Sequence, residues 1–581
     1  MTAAGDRAMY MPGRVYSDGM ERDTALQSAS AEQIESADSI TPAVETAPKP
    51  TATAEKAAQF LATTTVDRTF TPEEEKAVLR RIDLRVLPLL LGAYFFQQLD
   101  KSSLSYVSIF GLVEDANLVG QQYSWLGSIL YLAQLVMQPL AALVLVKLPT
   151  GKVIASAIFL WGSSLTIMAA CTNFPSLLGL RFCLGAFEAM IGELLTLQMC
   201  AEEANHPAPS CIAVTQMWWR RGEQTWRAAL WNAMNGVTSI VGSLFTYGLG
   251  HIHSDTLFSY QIIFLLCGLL TVAYSLVVLI FMPDSPMEAK FLPEREKVIA
   301  VERLRANQMG IISRQWRWDH FWETLLDAKT WIWFLLIIAI SIPSGGISSF
   351  GSLIITSFGY TNFTAILFNL PFGAIQIVVI LLGGWLATKF RTKGLVIAVI
   401  ALIAAVGTIL MLTVPREQKG VLLFGYYLVS CLAGITPLVY AWEAQNTAGD
   451  TKRKCTSAVV LIGMCTGNVI GPQLYSLKQA PEYRPGLISN LIMFILVAVI
   501  AVTADLYLYW LNKRHAKRRE ELGKSARVVD ESMLGTHRLQ ENKAGEVENG
   551  DGTQAKGEAS VVDKGFLDTT DLKNEDFIYV Y

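Results

Sequence analysis

Charge is what this sequence has little of. Only 17% of its 581 residues are Asp, Glu, Lys or Arg, against about a quarter in an ordinary soluble protein. Hydrophobic residues make up 52%, and mean hydropathy is +0.36. That excludes a water-soluble globule and predicts a polytopic membrane protein embedded in a lipid bilayer. The net charge is −3, and no basic patch is interleaved with aromatics, so a nucleic-acid partner is not expected. Histidine is scarce. The six are scattered, only His251 and His253 are neighbours, and there is no HExxH. No catalytic constellation is visible, so neither an enzyme nor a cofactor or metal is expected. The eight cysteines lack zinc spacing; Cys183, Cys267, Cys431 and Cys465 fall inside apolar runs and read as small buried hydrophobes. The N-terminus lacks a short apolar core with a cleavage site, so the first span is expected to act as its own signal.

What is abundant is apolar runs long enough to cross a bilayer, which takes about 20 residues. Twelve are expected, near 87–112, 124–146, 153–172, 175–196, 226–250, 259–282, 330–357, 362–388, 393–413, 419–442, 454–477 and 486–511. The polar stretch 283–328 divides them six and six. The chain then reads as a disordered tail (1–74), a six-helix half (75–282), a central loop (283–328), a second six-helix half (329–515) and a disordered tail (516–581). Thr71-Pro72-Glu73-Glu74 fits a capping box with proline at the first helical position. Lys and Arg gather in alternate connections: Lys147 and Lys152, Arg220 and Arg221, Lys389 and Arg391, Lys452 and Arg453, and the run from Lys513 to Arg519. The positive-inside rule then puts both tails and the central loop in the cytoplasm. An all-α membrane protein with twelve transmembrane helices in two six-helix halves is the plan of the major facilitator fold, in which the halves rock about a central site. A monomer is expected.

Against this background the charges inside spans stand out. Asp100 and Lys101 sit side by side near the middle of LGAYFFQQLDKSSLSYVSIFGL (91–112). Arg181 and Glu188 lie in LLGLRFCLGAFEAMIG (177–192), seven residues and so about two turns apart, on one helix face. A charge at bilayer depth costs about 2.5–3.5 kcal/mol on insertion scales, so such groups imply a function. Two cations and two acids suggest a path for an anion and a proton. Lys101 offers a point charge and Arg181 a planar fork for a carboxylate; Asp100 and Glu188 are the candidate proton-coupling acids. Structural ion pairs between spans are the alternative use of these groups. The second half is poor in charge. Asn369, Tyr440 and Asn468 are candidate cavity residues, with helix–helix hydrogen bonding an equal alternative. Pro343, Gly345 and Gly346 in SIPSGGISSFGS (341–352) suggest a gating hinge or close packing. Glu443 is read as snorkelling, Asp505 as structural or interfacial, and Trp218, Trp219, Trp331 and Trp333 as an aromatic belt.

Several passages carry a family resemblance: LDKSSLSY (99–106), QQYSWLGSILYLAQLVMQP (121–139), LPTGK (148–152), RFCLGAFEA (181–189), WWRRGEQTWRAALWNAMNG (218–236), PDSPMEAKFLPEREKVIAVERLRANQMGI (283–311) and NTAGDTKR (446–453). Together they resemble the fungal anion:cation symporters of the major facilitator superfamily, and most of all the allantoate permease branch. The resemblance covers roughly residues 75–515. It implies proton-coupled import of a small organic anion such as allantoate, ureidosuccinate, a vitamin acid or a small peptide, across the plasma membrane. It also implies that Asp100, Lys101, Arg181 and Glu188 carry substrate and proton. The fifth span, NAMNGVTSIVGSLFTYGLG (232–250), lacks the Gly-Pro motif of antiporters, which favours symport. A nutrient sensor of the same fold is the competing class. One departure is ELLTLQMCAEEANHPA (193–208), inserted where span four should turn into TQMWW. Its codons permit a retained intron; a real cytoplasmic loop is the other reading.

Overall fold

A computed structural model describes residues 70–147, 150–196, 218–219, 221–252, 254–305, 317–523 and 569–581. Among them there is helix and no β-strand. Helix α1 (Pro72–Val107) opens at the capping box: the Glu74 amide donates to Thr71 Oγ1 at 3.2 Å, and the Thr71 amide to Glu74 Oε2 at 3.0 Å. Then come α2 (Gln122–Lys147), α3 (Thr150–Met168), α4 (Phe174–Thr196), α5 (Arg221–Leu249) and α6 (Ser259–Phe281). The polar linker carries α7 (Glu294–Arg305) and α8 (Trp318–Leu326). The second half has α9 (Ala328–Ser357), α10 (Asn369–Phe390), α11 (Lys393–Thr413), α14 (Asp450–Gln473) and α15 (Arg484–Glu521). Its fourth span is broken: α12 (Lys419–Val429) passes through a 3₁₀ turn, Ser430–Gly434, into α13 (Ile435–Gln445). That makes six crossings before the linker and six after it.

The packing has an internal two-fold pattern. In the first half α1 lies against α5 and α6, and α3 against α4 and α6; in the second α9 lies against α14 and α15, and α11 against α12 and α15. Between halves α2 meets α14, α5 meets α10, and α1 meets α9. The two swapped pairs and one central pair are what repeats related by a pseudo-two-fold axis produce. Where α5 crosses α10, a Cβ on Gly236 would lie 2.4 Å from the Gly373 carbonyl oxygen, and one on Gly373 2.6 Å from that of Gly236. Only two glycines let these backbones touch.

The side of the bundle where α1 begins and α15 ends is called the tail side here. Hydrogen bonds joining the halves gather toward the far side. Ser105 Oγ donates to Ser352 Oγ at 3.0 Å, Ser124 Oγ to the Tyr475 carbonyl at 3.0 Å, Ser128 Oγ to the Val469 carbonyl at 2.7 Å and Asn362 Nδ2 to the Ile109 carbonyl at 2.7 Å. Tyr123 OH donates to the Ser349 carbonyl, and Phe110 meets Phe363 edge-on at 5.4 Å. The far side is therefore zipped shut. On the tail side the linker helices and their neighbours pair within each half: Arg295 with Glu74, Arg81 with Glu296, and Lys452 with Glu323.

Several expectations need correcting. Helix α9 runs unbroken through Pro343, and Gly345 and Gly346 face the Asn468 backbone and the Tyr475 ring; the small residues serve close packing, and the broken span is α12–α13 instead. Trp218, Trp219 and Trp333 are buried in the protein, while Trp331 is exposed as a belt residue would be. Trp219 Nε1 donates to Asp83 at 2.7 Å, and Trp333 meets Trp442 edge-on at 4.9 Å. Cys183 is exposed, unlike Cys267, Cys431 and Cys465. Glu443 does not snorkel: it is fully buried, with Ser457 Oγ 3.4 Å from its Oε1. Asp505 needs no correction: its carboxylate presses against Gly394 at the start of α11, a place where backbone N–H groups are unpaired within the helix, as a structural role requires. The insertion keeps α4 helical as far as Thr196; residues 197–208 lie outside the described residues. The tail read as disordered from 516 continues α15 to Glu521, and Thr569–Tyr581 pack onto the second half. Five apolar residues in its last stretch, Phe577 to Tyr581, were the overlooked signal.

Candidate substrate cavity

The middle of the bundle holds a cavity of about 310 Å³, at the small end of ligand pockets. Its first-half wall includes Tyr94, Gln98, Lys101, Tyr131, Gln134 and Asn235; its second-half wall includes Asn369, Gln376, Tyr440 and Asn468. Asn369, Tyr440 and Asn468 lie on this wall. Asn369 donates one amide hydrogen to the Ala365 carbonyl at 3.4 Å, Asn468 one to the Met464 carbonyl at 2.9 Å, and Tyr440 OH lies 3.0 Å from Met464 Sδ.

Asp100 and Lys101 part company because successive residues on a helix project about 100° apart. Lys101 reaches the cavity wall. Its Nζ is 3.5 Å from Glu188 Oε2 and 5.9 Å from the centre of the Tyr131 ring. Glu188 is fully buried behind it, and Gln134 Nε2 donates to the same Oε2 at 2.8 Å. Glu188 Oε1 has no hydrogen-bond partner among the described residues. Asp100 turns away into the packing of α1 against α3 and α6. There Trp161 Nε1 donates to Oδ2 at 2.9 Å and Thr271 Oγ1 at 3.0 Å. So the two acids expected to act alike have different surroundings: one braces three helices, the other sits at the cavity.

Arg181 is the second surprise. It is 1% exposed and does not line the cavity. Its place is two turns toward the zipped far side from Glu188. Its Nε and Nη2 have no hydrogen-bond partner among the described residues, an expensive state for a buried guanidinium. Sequence reasoning passed over Tyr94, Tyr131, Gln134 and Asn235. The signal was available as amides and phenols recurring on one face of apolar runs, such as Gln134 and Gln138 four residues apart. Among the described residues no group of His, Cys, Asp and Glu is arranged to hold a metal.

Comparison with known proteins bears on what this cavity serves. A sequence profile described as Major Facilitator Superfamily matches residues 205–472. An uncharacterized transporter of Schizosaccharomyces pombe is 34% identical, over 77% of this chain and 82% of its own length. The chain belongs to the major facilitator superfamily. The allantoate permease of Saccharomyces cerevisiae is 31% identical over 78% of this chain and 82% of its own. The thiamine pathway transporter of the same yeast is 30% identical over 87% and 86%. A bacterial homolog of the human lysosomal transporter Spinster, solved inward-facing and occupied, superposes with a TM-score of 0.54 at 13% identity, covering 72% of this chain and 96% of that one; this likeness concerns the fold. The superfamily protein described here is thus a multi-pass membrane transporter, not an enzyme, related to the fungal allantoate permease.

Proposed function

We propose that this superfamily member is a proton-coupled symporter that imports a small organic anion, in the class of allantoate, ureidosuccinate, a vitamin acid or a small peptide. The observation that carries the reading is the Lys101–Glu188 pair: a cation on the cavity wall, held 3.5 Å from a buried acid. While Glu188 is ionised it neutralises Lys101, and an anionic substrate must compete with it. When Glu188 gains a proton, Lys101 is released to the substrate carboxylate, and amides and phenols such as Asn369, Tyr440 and Asn468 fix its orientation. Proton and anion load together; unloading both restores the internal pair and lets the carrier reset. A strict exchange of anion for Glu188 keeps the site neutral throughout, which matters where an unpaired charge is costly.

Asp100, with its hydrogen bonds satisfied by Trp161 and Thr271, is assigned the role of holding Lys101 in register. Arg181 is assigned to the opposite conformation, in which the far side opens and the unpartnered Nε and Nη2 of its guanidinium meet the incoming anion. The basic connections support a cytoplasmic tail side, and the resemblance to the fungal anion:cation symporters supports a plasma-membrane address. The test is uptake by a transport-deficient yeast against a panel of labelled carboxylates with external pH varied. Uptake that rises as external pH falls supports the reading; binding without flux at any pH would mark a receptor instead.

A further inference from the structure

The mechanism leaves one elaborate structure unused. On the tail side of the second half, residues Thr569–Tyr581 lie in a groove built from the ends of five spans and α8. The fit is specific in backbone and side chain. Trp442 Nε1 donates to the Val580 carbonyl at 2.8 Å, Asn446 Nδ2 to the same oxygen at 2.9 Å, and the Val580 amide donates to Asn446 Oδ1 at 2.8 Å. Asn512 does the same for Tyr579, accepting from its amide and donating to its carbonyl, each at 2.8 Å. The Lys393 amide donates to the Tyr581 carbonyl at 2.8 Å, and Arg519 Nη1 to the Glu575 carbonyl at 2.6 Å. Asp571 is fully buried: it is paired with Lys329, lies 3.1 Å from Lys452 Nζ, and accepts from Tyr579 OH at 2.9 Å.

Two features make this occupant removable. First, the groove holds its own counter-charges. Lys452 Nζ is 2.7 Å from Asp327 and 3.0 Å from Glu323, and Lys329 Nζ is 3.5 Å from Asp327. Two cations already face two acids of the receptor, so departure of Asp571 strands no buried lysine. Second, the segment ties the helix that follows a break to two helices that run unbroken. Helix α13 follows the 3₁₀ break at Ser430–Gly434 and carries Trp442 near its end. The segment links Trp442 and Asn446 to Asn512 on α15 and to Lys393 at the start of α11. Hinges of this kind sit at element ends and absorb the rotation of one helix past another. If α13 turns past α11 and α15 when the tail side closes, these bonds oppose that movement.

We propose that the tail-side base of the second half is a peptide-binding groove whose occupant, Thr569–Tyr581, is a strap that holds the transporter open on the tail side and restrains its cycle. Release of the strap frees α13 and lets the tail side close. This goes beyond the assignment of a proton-coupled anion carrier, and its test does not need the substrate. Spin labels on L84C and F390C, at exposed sites on the tail-side ends of α1 and α10, read the gap between halves in the full chain, with the unsubstituted chain as the labelling background. The strapped chain gives one long distance. The chain ending at Asp568 gives a second, shorter distance whose population is raised about fivefold, the lower range of ordinary coupling between sites. A synthetic peptide of residues 569–581 added in trans returns the long distance. Should the shortened chain fail to fold, Asn512→Ala, which loses the bonds to Tyr579 and touches no cavity residue, is read in its place. Unchanged distances in a folded shortened chain or in Asn512→Ala, or a trans peptide without effect, overturn the proposal and leave the segment a fixed brace.

Discussion

Replacing Glu188 by Gln tests the coupling idea at its centre. The amide keeps the shape of the carboxylate and can still accept from Gln134, now 2.8 Å away, so the cavity wall should stand. What disappears is the charge 3.5 Å from Lys101 Nζ. At that separation two unit charges attract by about 5 kcal/mol at an effective dielectric of 20. Much of this is offset by the desolvation that any bound anion must also meet. A net release of about 1.4–3 kcal/mol corresponds to about ten- to hundredfold tighter anion binding at a pH where the native acid is ionised. The variant should therefore bind substrate more tightly at high pH and lose the pH dependence of its Kd. It should also exchange labelled for unlabelled substrate across proteoliposome membranes yet fail to accumulate it against a gradient. Two measurements decide this: equilibrium binding to the purified protein across pH, and counterflow beside proton-driven uptake. If Glu188→Gln still concentrates substrate when a proton gradient is applied, the proton travels by another residue and the reasoning is wrong.

The remaining predictions are narrower. Lys101→Gln should weaken anion binding by about 2–5 kcal/mol, the usual consequence of removing one partner of a buried charge pair; isothermal titration showing native affinity would count against it. Arg181→Ala should cut uptake below about a tenth of the native rate while leaving binding in the far-side-closed conformation nearly unchanged, because the guanidinium lies outside that cavity; equal losses in both readings would place Arg181 in the site described here. Gly394→Ala would set a methyl 2.4 Å from the Asp505 carboxylate and should lower the melting temperature through overpacking of about 1–3 kcal/mol. For the strap, burial pushes the Asp571 carboxyl up, but Lys329 and Lys452 outweigh it and hold it at about 2. A carboxyl held below its ordinary value stabilises docking above that value, and the contribution, on the order of 2 kcal/mol, fades as pH falls from about 4 through 2. Asp571 should thus add no pH dependence to docking between 5 and 8, whereas His515 beside Phe577 and Tyr579, its imidazole pushed below the ordinary value by burial, should weaken docking as pH falls; docking measured by labels on the segment that instead weakens as pH rises through this window would contradict the assignment.

The bundle was legible in the sequence because the bilayer imposes a length on each span that composition alone reveals. The same pattern could not say which way a polar side chain turns. Asp100 and Lys101 are neighbours in sequence, yet one braces α3 and α6 and the other meets the cavity, and only tertiary packing sets that difference. Arg181 shares a helix face with Glu188, but a helix face spans both the open and the zipped depth of the bundle, so periodicity could not place it along the axis. Pro343 and its glycines looked like a hinge because small residues serve bending and close approach alike; α9 uses them against α14. The Thr569–Tyr581 segment was hidden by the polar stretch before it. Trp218 and Trp219 lie near a span end, where an interfacial role looks the same in sequence as burial against Asp83 and α7.

The two walls of the cavity are made of different materials. Lys101 and the acid behind it belong to one half, whereas Asn369, Gln376, Tyr440 and Asn468 on the other carry no charge. In the proposed cycle the charged surface takes the proton and the substrate's carboxylate, and the neutral surface reads the rest of the substrate. Descendants of such a carrier can retool the neutral surface for a new nutrient while the ionic engine across from it stays intact, which is one way a common chassis yields permeases of unlike diet.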